Sequence, residues 1–212
     1  MEHENNIFPL FSTPIYHVQD TGFRCSEKEL RSIDNLSYIP SEVGTCLLTK
    51  NVNLFKLNHF SRIKKECEKH LNYYTKKVLC IKQDFYITNS WITKKSLKSG
   101  YKEHHKHSHP NSIFSGVFYL DVEEGNDQNL FLAGKPRFLD AFNFDYCYSD
   151  YNMFNSRNYW FPVNVGTCII FPSHVVHWVD EIKTGGERIV MGFNCFVKGK
   201  FGDREYASDI LL

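Results

Sequence analysis

Histidines are concentrated in one short stretch of the chain. Four of the ten lie between positions 104 and 109, directly before the apolar run 113–120. In an extended segment residues i and i+2 point to the same side, so His107 and His109 can bind one metal ion together. His105 has the same spacing from His107, but only the pair His107 and His109 adjoins the apolar run. We therefore predict that His107 and His109 are metal ligands, with His105 and His107 as the alternative pair.

A third ligand is expected from the later segment 171–178. His177 lies there in a run that is too apolar for a solvated loop. Three protein ligands leave coordination positions open, as in a catalytic rather than a structural metal site. Histidine-rich segments also bind metals adventitiously, and a lone histidine in an apolar run, such as His174, is more often a hydrogen-bonded core residue.

An arginine opens the strand-like run 188–194. If Arg188 faces the inside of an apolar barrel, its charge is uncompensated unless an anion meets it. Its planar guanidinium suits a carboxylate. 2-Oxoglutarate can chelate a metal through its keto-acid end while its other carboxylate reaches Arg188. The alternative is an exposed arginine at the start of a strand.

Three more residues are candidates for binding this cosubstrate. Tyr119 can direct its hydroxyl to the carboxylate beside Arg188, although a core tyrosine with another buried partner is an equal alternative. Asn194 shares a face with Arg188 if the strand has a regular period of two. Asn89 lies on a strand just before the histidine cluster and is predicted to face inward.

These segments resemble a family of 2-oxoglutarate and Fe(II)-dependent oxygenases from bacteria and phages. The resemblance is specific in residues 86–137 and 162–197, roughly two fifths of the chain. The matching residues are His107-x-His109-Pro-Asn-Ser-x-x-Ser115-Gly116-Val117-x-Tyr119, then Phe171-Pro172-Ser173 followed by His177, and then Arg188 to Asn194.

The resemblance implies a double-stranded β-helix, or jelly roll, with iron at its mouth. It implies that His107, His109 and His177 bind Fe(II) and that Arg188 binds the far carboxylate of 2-oxoglutarate. It further implies a dioxygenase, expected to be a hydroxylase, that uses O2 and releases succinate and CO2.

One position departs from the wider superfamily, in which His109 would be Asp or Glu. Three neutral imidazoles leave the metal site one positive charge higher, which changes its reactivity. Two alternatives follow. One is a cupin-like three-histidine metalloenzyme that does not use 2-oxoglutarate, since the spacing from Gly166 to Pro172 and His177 is similar to a cupin motif. The other is a non-catalytic metal- or ligand-binding protein.

Composition predicts a single domain spanning residues 1–212. With 212 residues and 42% hydrophobic content the chain can bury one core. Residues 1–80 are predicted to form a helical support and 81–197 a β-barrel core. The net charge of +1 gives no evidence for a nucleic-acid or membrane partner. Seven cysteines without a Cys-x-x-Cys pair, and no signal peptide, predict reduced thiols and a cytoplasmic protein. The primary substrate and the oligomeric state are not indicated.

Local patterns place the elements around the histidines. A strand is predicted over 7–16, and a helix from Ser26 to about 35 because Ser26 and Glu29 form a capping box. Apolar residues at three- and four-residue spacing predict a longer helix over 54–77.

From residue 84 the apolar period changes to two. Strands are predicted over 84–93 and 112–122, with a turn over 94–100. The aromatic and polar insertion 138–160 has no clean period and is the candidate substrate-facing surface, with a hydrophobic flap over the core as the equal alternative.

Overall fold

The computed structural model describes residues 10, 12–42, 46–96, 100, 104–122, 129–133, 148–179, 186–202, 204–206 and 208–212. Its α-helices are α1 (Glu27–Asp34) and α2 (Ser61–Asn72). Its strands are β1 (Tyr16–Val18), β2 (Tyr38–Pro40), β3 (Leu47–Thr49), β4 (Asp84–Ser96), β5 (His104–His107), β6 (Phe114–Val122), β7 (Asn129–Ala133), β8 (Asn158–Pro162), β9 (Cys168–Pro172), β10 (His177–Val179), β11 (Glu187–Lys198), β12 (Lys200–Phe201) and β13 (Ile210–Leu211).

Two antiparallel sheets form the body of the structure. The larger has the order β1-β9-β6-β11-β4-β3-β2, and the smaller has the order β5-β10-β7-β8. Between β4 and β11 the chain passes back and forth between the sheets, with β4, β6, β9 and β11 in the large sheet and β5, β7, β8 and β10 in the small one. This winding is a double-stranded β-helix, which confirms the predicted mainly β fold.

The large sheet has a different core on each of its faces because its side chains alternate. On one face, Phe118 and Phe193 pack with Ile63 and Leu71 of α2. On the other face, Tyr119 and its neighbours pack between the two sheets. The helices therefore support the large sheet from outside, and the space between the sheets is left for a site.

The predicted helix at 26–35 is confirmed, and the predicted helix at 54–77 is only partly correct. Ser26 caps α1, with both hydrogen bonds of the capping box to Glu29 present. The longer segment begins as two 3₁₀ turns, which are separated by Leu57 in an extended conformation (φ −92°, ψ 129°). The Phe55 backbone N–H donates to Ser90 Oγ of β4 at 2.8 Å, so contact with the sheet replaces helical hydrogen bonding there. After α2, Tyr73–Val78 continues as a π-helical turn.

Two strand boundaries differ from the prediction. The first strand was predicted over 7–16 but lies at Tyr16–Val18, where the chain pairs with β9; residues 7–9 and 11 are outside the described part. Pro14 cannot donate a backbone hydrogen bond, which disfavours an earlier start. The turn predicted over 94–100 is wrong at its beginning, since β4 continues to Ser96 opposite Glu187 of β11.

In the described part of the chain, no helix is long and apolar enough to cross a membrane. Six cysteines there are free thiols, and Cys147 lies outside it. Of the insertion 138–160, residues 138–147 are outside the described part, and its end forms the start of β8. The division into a support and a barrel core stays a prediction, although β1, β2 and β3 of the first eighty residues join the large sheet.

Candidate metal and carboxylate site

Three histidines meet between the two sheets. His107 at the end of β5 and His177 at the start of β10 are directly opposite in register, and their ring centroids are 4.2 Å apart. His109 lies just beyond β5, where its backbone N–H donates to the Ser173 carbonyl at 2.9 Å. One nitrogen from each of the three imidazoles lies within 4.8 Å of the others. The structure therefore brings together the three predicted metal ligands.

Backbone carbonyls fix the orientation of two of these rings. His107 Nδ1 donates to the His105 carbonyl at 2.8 Å, and His177 Nδ1 donates to the Val175 carbonyl at 3.1 Å. Each Nε2 therefore carries the lone pair that a metal requires. His177 Nε2 is 3.3 Å from His109 Nε2. Two nitrogens each about 2.1 Å from one ion are roughly 3.0 to 3.4 Å apart at ordinary coordination angles, so the spacing fits a shared ion.

The electrostatics keep these rings uncharged. Burial lowers the pKa of His177 to about 3, with further lowering from its histidine neighbours. Burial likewise lowers the pKa of His109 to about 4, and it lowers the pKa of His107. All three imidazoles are therefore neutral at pH 7, which is the form that binds metals.

Arg188 lines the same pocket as the histidines. It is only 2% exposed, and its Nε and Nη1 have no hydrogen-bond partner among the described residues. The fully buried Lys95 lies directly opposite on β4, so a second cation is close to it in the sheet. The predicted inward orientation of Arg188 is observed, and its free N–H groups are available to an anion.

Tyr119 lies in this pocket as well, at the position opposite Val190 of β11. Burial raises the pKa of its phenol to about 12, and the charge of Arg188 only partly offsets this effect. The hydroxyl is therefore protonated at neutral pH and is able to donate a hydrogen bond.

The two predicted asparagines lie in the same region but do not line this pocket as far as the structure describes it. Asn89 and Asn194 are opposite each other on β4 and β11, and Asn194 Oδ1 accepts a hydrogen bond from Ser115 Oγ at 2.9 Å. The strand is not regular there, since its register shifts between Asn194 and Cys195. A cosubstrate role for Asn89 and Asn194 stays a prediction.

Sequence reasoning assigned no role to Trp91 and Gly192, which form one wall of the pocket. The indole ring lies 5.6 Å from the His109 ring. A Cβ added to Gly192 would lie 2.6 Å from this indole, so the missing side chain makes room for Trp91. The available signal was a glycine in the middle of a β-favouring run.

The other histidines of the two clusters are not part of the trio. The His105 ring lies 5.2 Å from His107 and is half-buried, and His174 is exposed rather than a core residue. The side chain of His104 is outside the described part. The alternative ligand pair His105 and His107 is not the pair that meets His177.

One comparison with known protein families gives a match. Residues 89–194 match a family model described as "Putative 2OG-Fe(II) oxygenase", which covers half of the chain. No curated protein matches in sequence.

Several solved structures are similar at low sequence identity. The non-heme alpha ketoglutarate dependent epimerase SnoN from nogalamycin biosynthesis has a TM-score of 0.63 and 9% identity, covering 90% of this chain and 79% of its own. HygX from Streptomyces hygroscopicus, solved with nickel, 2-oxoglutarate and hygromycin B, has a TM-score of 0.56 and 11% identity over 86% and 82%. A 2OG-Fe(II) oxygenase family oxidoreductase from Burkholderia pseudomallei has a TM-score of 0.53 and 14% identity over 85% and 83%. These likenesses support the fold.

Proposed function

Because the chain belongs to the 2OG-Fe(II) oxygenase family, we propose that it is a hydroxylase that uses O2 and releases succinate and CO2. The cofactors predicted from the sequence, Fe(II) and 2-oxoglutarate, are those of the family. The observation that carries the proposal is the joint presence, in one pocket, of three neutral histidines and a buried arginine, two of whose nitrogens have no partner in the described part of the chain.

In this proposal His107, His109 and His177 hold Fe(II). Their neutral state and the converging nitrogens fit a divalent cation. Three imidazoles supply no negative charge, so the metal keeps its full double positive charge and favours an anionic chelator. The keto-acid end of 2-oxoglutarate provides such a chelator.

Arg188 binds the far carboxylate of 2-oxoglutarate, and Tyr119 donates a second hydrogen bond to it. A charge-assisted bond to a carboxylate would satisfy donors that are otherwise buried without a partner. A protonated phenol is a suitable neighbour because it donates without adding charge. The cosubstrate would then be fixed at both ends.

Bound Fe(II) and 2-oxoglutarate would supply the oxidising chemistry. One oxygen atom of O2 enters succinate, and the other is inserted into a C–H bond of the substrate to give an alcohol. The chain itself supplies orientation and a dry pocket. Trp91 and Val190 line the pocket beside the histidines and add apolar surface to it.

The test is turnover of 2-oxoglutarate under air with Fe(II) and ascorbate, measured as succinate and CO2 without added substrate; ascorbate supplies the two electrons that reduce the second oxygen atom to water. We expect slow, equimolar formation of both products that requires Fe(II) and O2. His177→Ala should abolish it, and His174→Ala, a change at an exposed histidine, should not.

The two alternative functions give different results in this assay. A cupin-like enzyme that does not use 2-oxoglutarate would form no succinate and would be indifferent to Arg188→Ala. A non-catalytic binding protein would hold the metal without any oxygen-dependent turnover. Either result with a metal-loaded protein would contradict the proposed function.

A further inference from the structure

The third histidine is anchored differently from the other two. His107 and His177 are each oriented by a backbone carbonyl that accepts from Nδ1. His109 lies after the end of β5, so no ladder of strand hydrogen bonds fixes its backbone. It is instead tied to the turn that follows β9, because its N–H donates to the Ser173 carbonyl at 2.9 Å. The position of His109 therefore depends on the position of Ser173.

Ser173 is in turn fixed by a group of three hydroxyls, Ser112, Ser115 and Ser173, which we call the serine cluster. Ser173 is 1% exposed, and its backbone N–H donates to the Ile113 carbonyl at 3.0 Å. Its Oγ lies 2.8 Å from Ser115 Oγ and 2.9 Å from Ser112 Oγ. The cluster thus joins the turn after β9 to the start of β6.

The cluster is also anchored to β11. Ser115 Oγ donates to Asn194 Oδ1 at 2.9 Å. Ser112 Oγ donates to the Phe114 carbonyl at 2.8 Å and lies 3.1 Å from the Cys195 carbonyl. The groups that accept hydrogen bonds from the cluster therefore lie on the neighbouring strands β6 and β11.

Counting protons shows which hydroxyl is central. Each serine has one O–H proton. Those of Ser115 and Ser112 are used on Asn194 and on backbone carbonyls, so neither is available to the other serines. Ser173 Oγ donates to Ser112 Oγ at 2.9 Å, and it also lies 2.8 Å from Ser115 Oγ. Removing the Ser173 hydroxyl would break both links at once.

We propose that Ser173 is a positioning residue for the metal ligand His109, acting through its hydroxyl in the serine cluster and its carbonyl on the His109 N–H. This inference rests on the proposed role of His109 as a ligand. Ser173 is not among the residues that line the pocket; its hydroxyl holds the backbone carbonyl in place, and the carbonyl holds His109 in place. Loss of the hydroxyl therefore loosens the anchor of His109.

The test compares Ser173→Thr with Ser173→Val, because these side chains have nearly the same shape and only threonine keeps a hydroxyl. Co(II) alone is the probe, with its affinity measured by calorimetry and its coordination by the visible d–d spectrum. Outer partners of metal ligands contribute about 10-fold or more to affinity, so we expect Ser173→Val to bind Co(II) about 10-fold more weakly than Ser173→Thr, with an altered spectrum.

Two further variants complete the experiment. Thr75→Val removes a fully buried hydroxyl that donates to the Leu71 carbonyl in the helical region, and it should leave Co(II) binding unchanged. Ser115→Ala leaves residue 173 intact but removes one of the two hydroxyls that Ser173 Oγ contacts, and it should weaken Co(II) binding less than Ser173→Val does. If Ser173→Val does not fold, the comparison of Ser115→Ala with Thr75→Val decides.

The outcomes separate this inference from the proposed function. The inference would be overturned, while the ligand set stands, if Ser173→Thr and Ser173→Val had equal Co(II) affinity and identical spectra. If Ser173→Val does not fold, the same holds for equal results with Ser115→Ala and wild type. The serine cluster would then only join the strands. Failure of the wild-type protein to bind Co(II) would instead remove the ligand set, and both proposals with it.

Discussion

Replacing Arg188 with methionine should strengthen the fold and abolish cosubstrate binding. The guanidinium is 2% exposed, with Nε and Nη1 lacking partners among the described residues, and burial lowers its pKa. Without a bound anion, Arg188 therefore lowers the free energy of unfolding of the protein.

The magnitude follows from the unpaired donors. A buried polar group left without a partner costs about 1 to 3 kcal/mol, so the two atoms together cost roughly 2 to 6 kcal/mol. Methionine keeps most of the apolar stem and its packing. Replacing buried charges by apolar residues of similar volume is often neutral or stabilising by about 1 to 4 kcal/mol, and we expect a free energy of unfolding raised within that range for the metal-free variant.

The assay is urea unfolding of wild type and Arg188→Met, first alone and then with Co(II) and 2-oxoglutarate under argon. Saturating ligand at about 100 times its dissociation constant should stabilise wild type by about 2.7 kcal/mol more than Co(II) does alone, and it should not stabilise the variant. Arg31→Met, at a side chain that is 70% exposed, is the control and should change stability by less than about 0.5 kcal/mol. A metal-free Arg188→Met protein that is clearly less stable than wild type would refute the reasoning, because Arg188 would then have a structural partner.

Three further changes probe the site and its support. Gly192→Ala should push the Trp91 indole out of its place, since the new Cβ would lie 2.6 Å from it, and Co(II) affinity should fall while tryptophan fluorescence changes; an unchanged indole signal would be contrary evidence. His177→Ala should weaken Co(II) binding by about 100-fold or more, with His174→Ala as the unaffected control; equal affinities would exclude His177 as a ligand. Burial lowers the pKa of His70, so as the pH drops below about 6.5 the histidine is protonated more readily in the unfolded chain than in the folded protein, and the free energy of unfolding should fall. His70→Asn should reduce that fall between pH 7.5 and 5.5. An identical fall in both proteins would contradict the lowered pKa of His70.

Much of the barrel could be predicted because its strands follow simple patterns. The alternation after residue 84 indicated β4 and β6, and the histidine spacing indicated the two histidines that meet His177. The prediction that His109 lies beside His107 and His177 agrees with the structure, but the reason given for it was incomplete. It assumed a strand through both histidines, whereas β5 ends at His107 and a contact with Ser173 places His109.

What the sequence did not indicate depends on contacts between distant segments. The helix predicted over 54–77 is broken at its start because Phe55 bonds to Ser90 on β4, 35 residues away. The continuation of β4 to Ser96, and with it the position of Lys95 opposite Arg188, depends on pairing with β11. The room that Gly192 leaves for Trp91 is likewise a property of the paired strands. The local periodicity of the sequence gives no information on these contacts between distant segments.

The most direct test of the account is binding of 2-oxoglutarate to the Fe(II)-loaded protein without oxygen, followed by calorimetry and by the weak visible charge-transfer band of the chelate. We expect micromolar binding and the band for wild type and for Arg31→Ala. Arg188→Ala should bind about 30-fold or more weakly, because truncating one partner of a buried charge pair costs at least about 2 kcal/mol. Wild-type protein that holds Fe(II) but neither binds 2-oxoglutarate nor shows the band would contradict the central claim that this pocket is built for that cosubstrate.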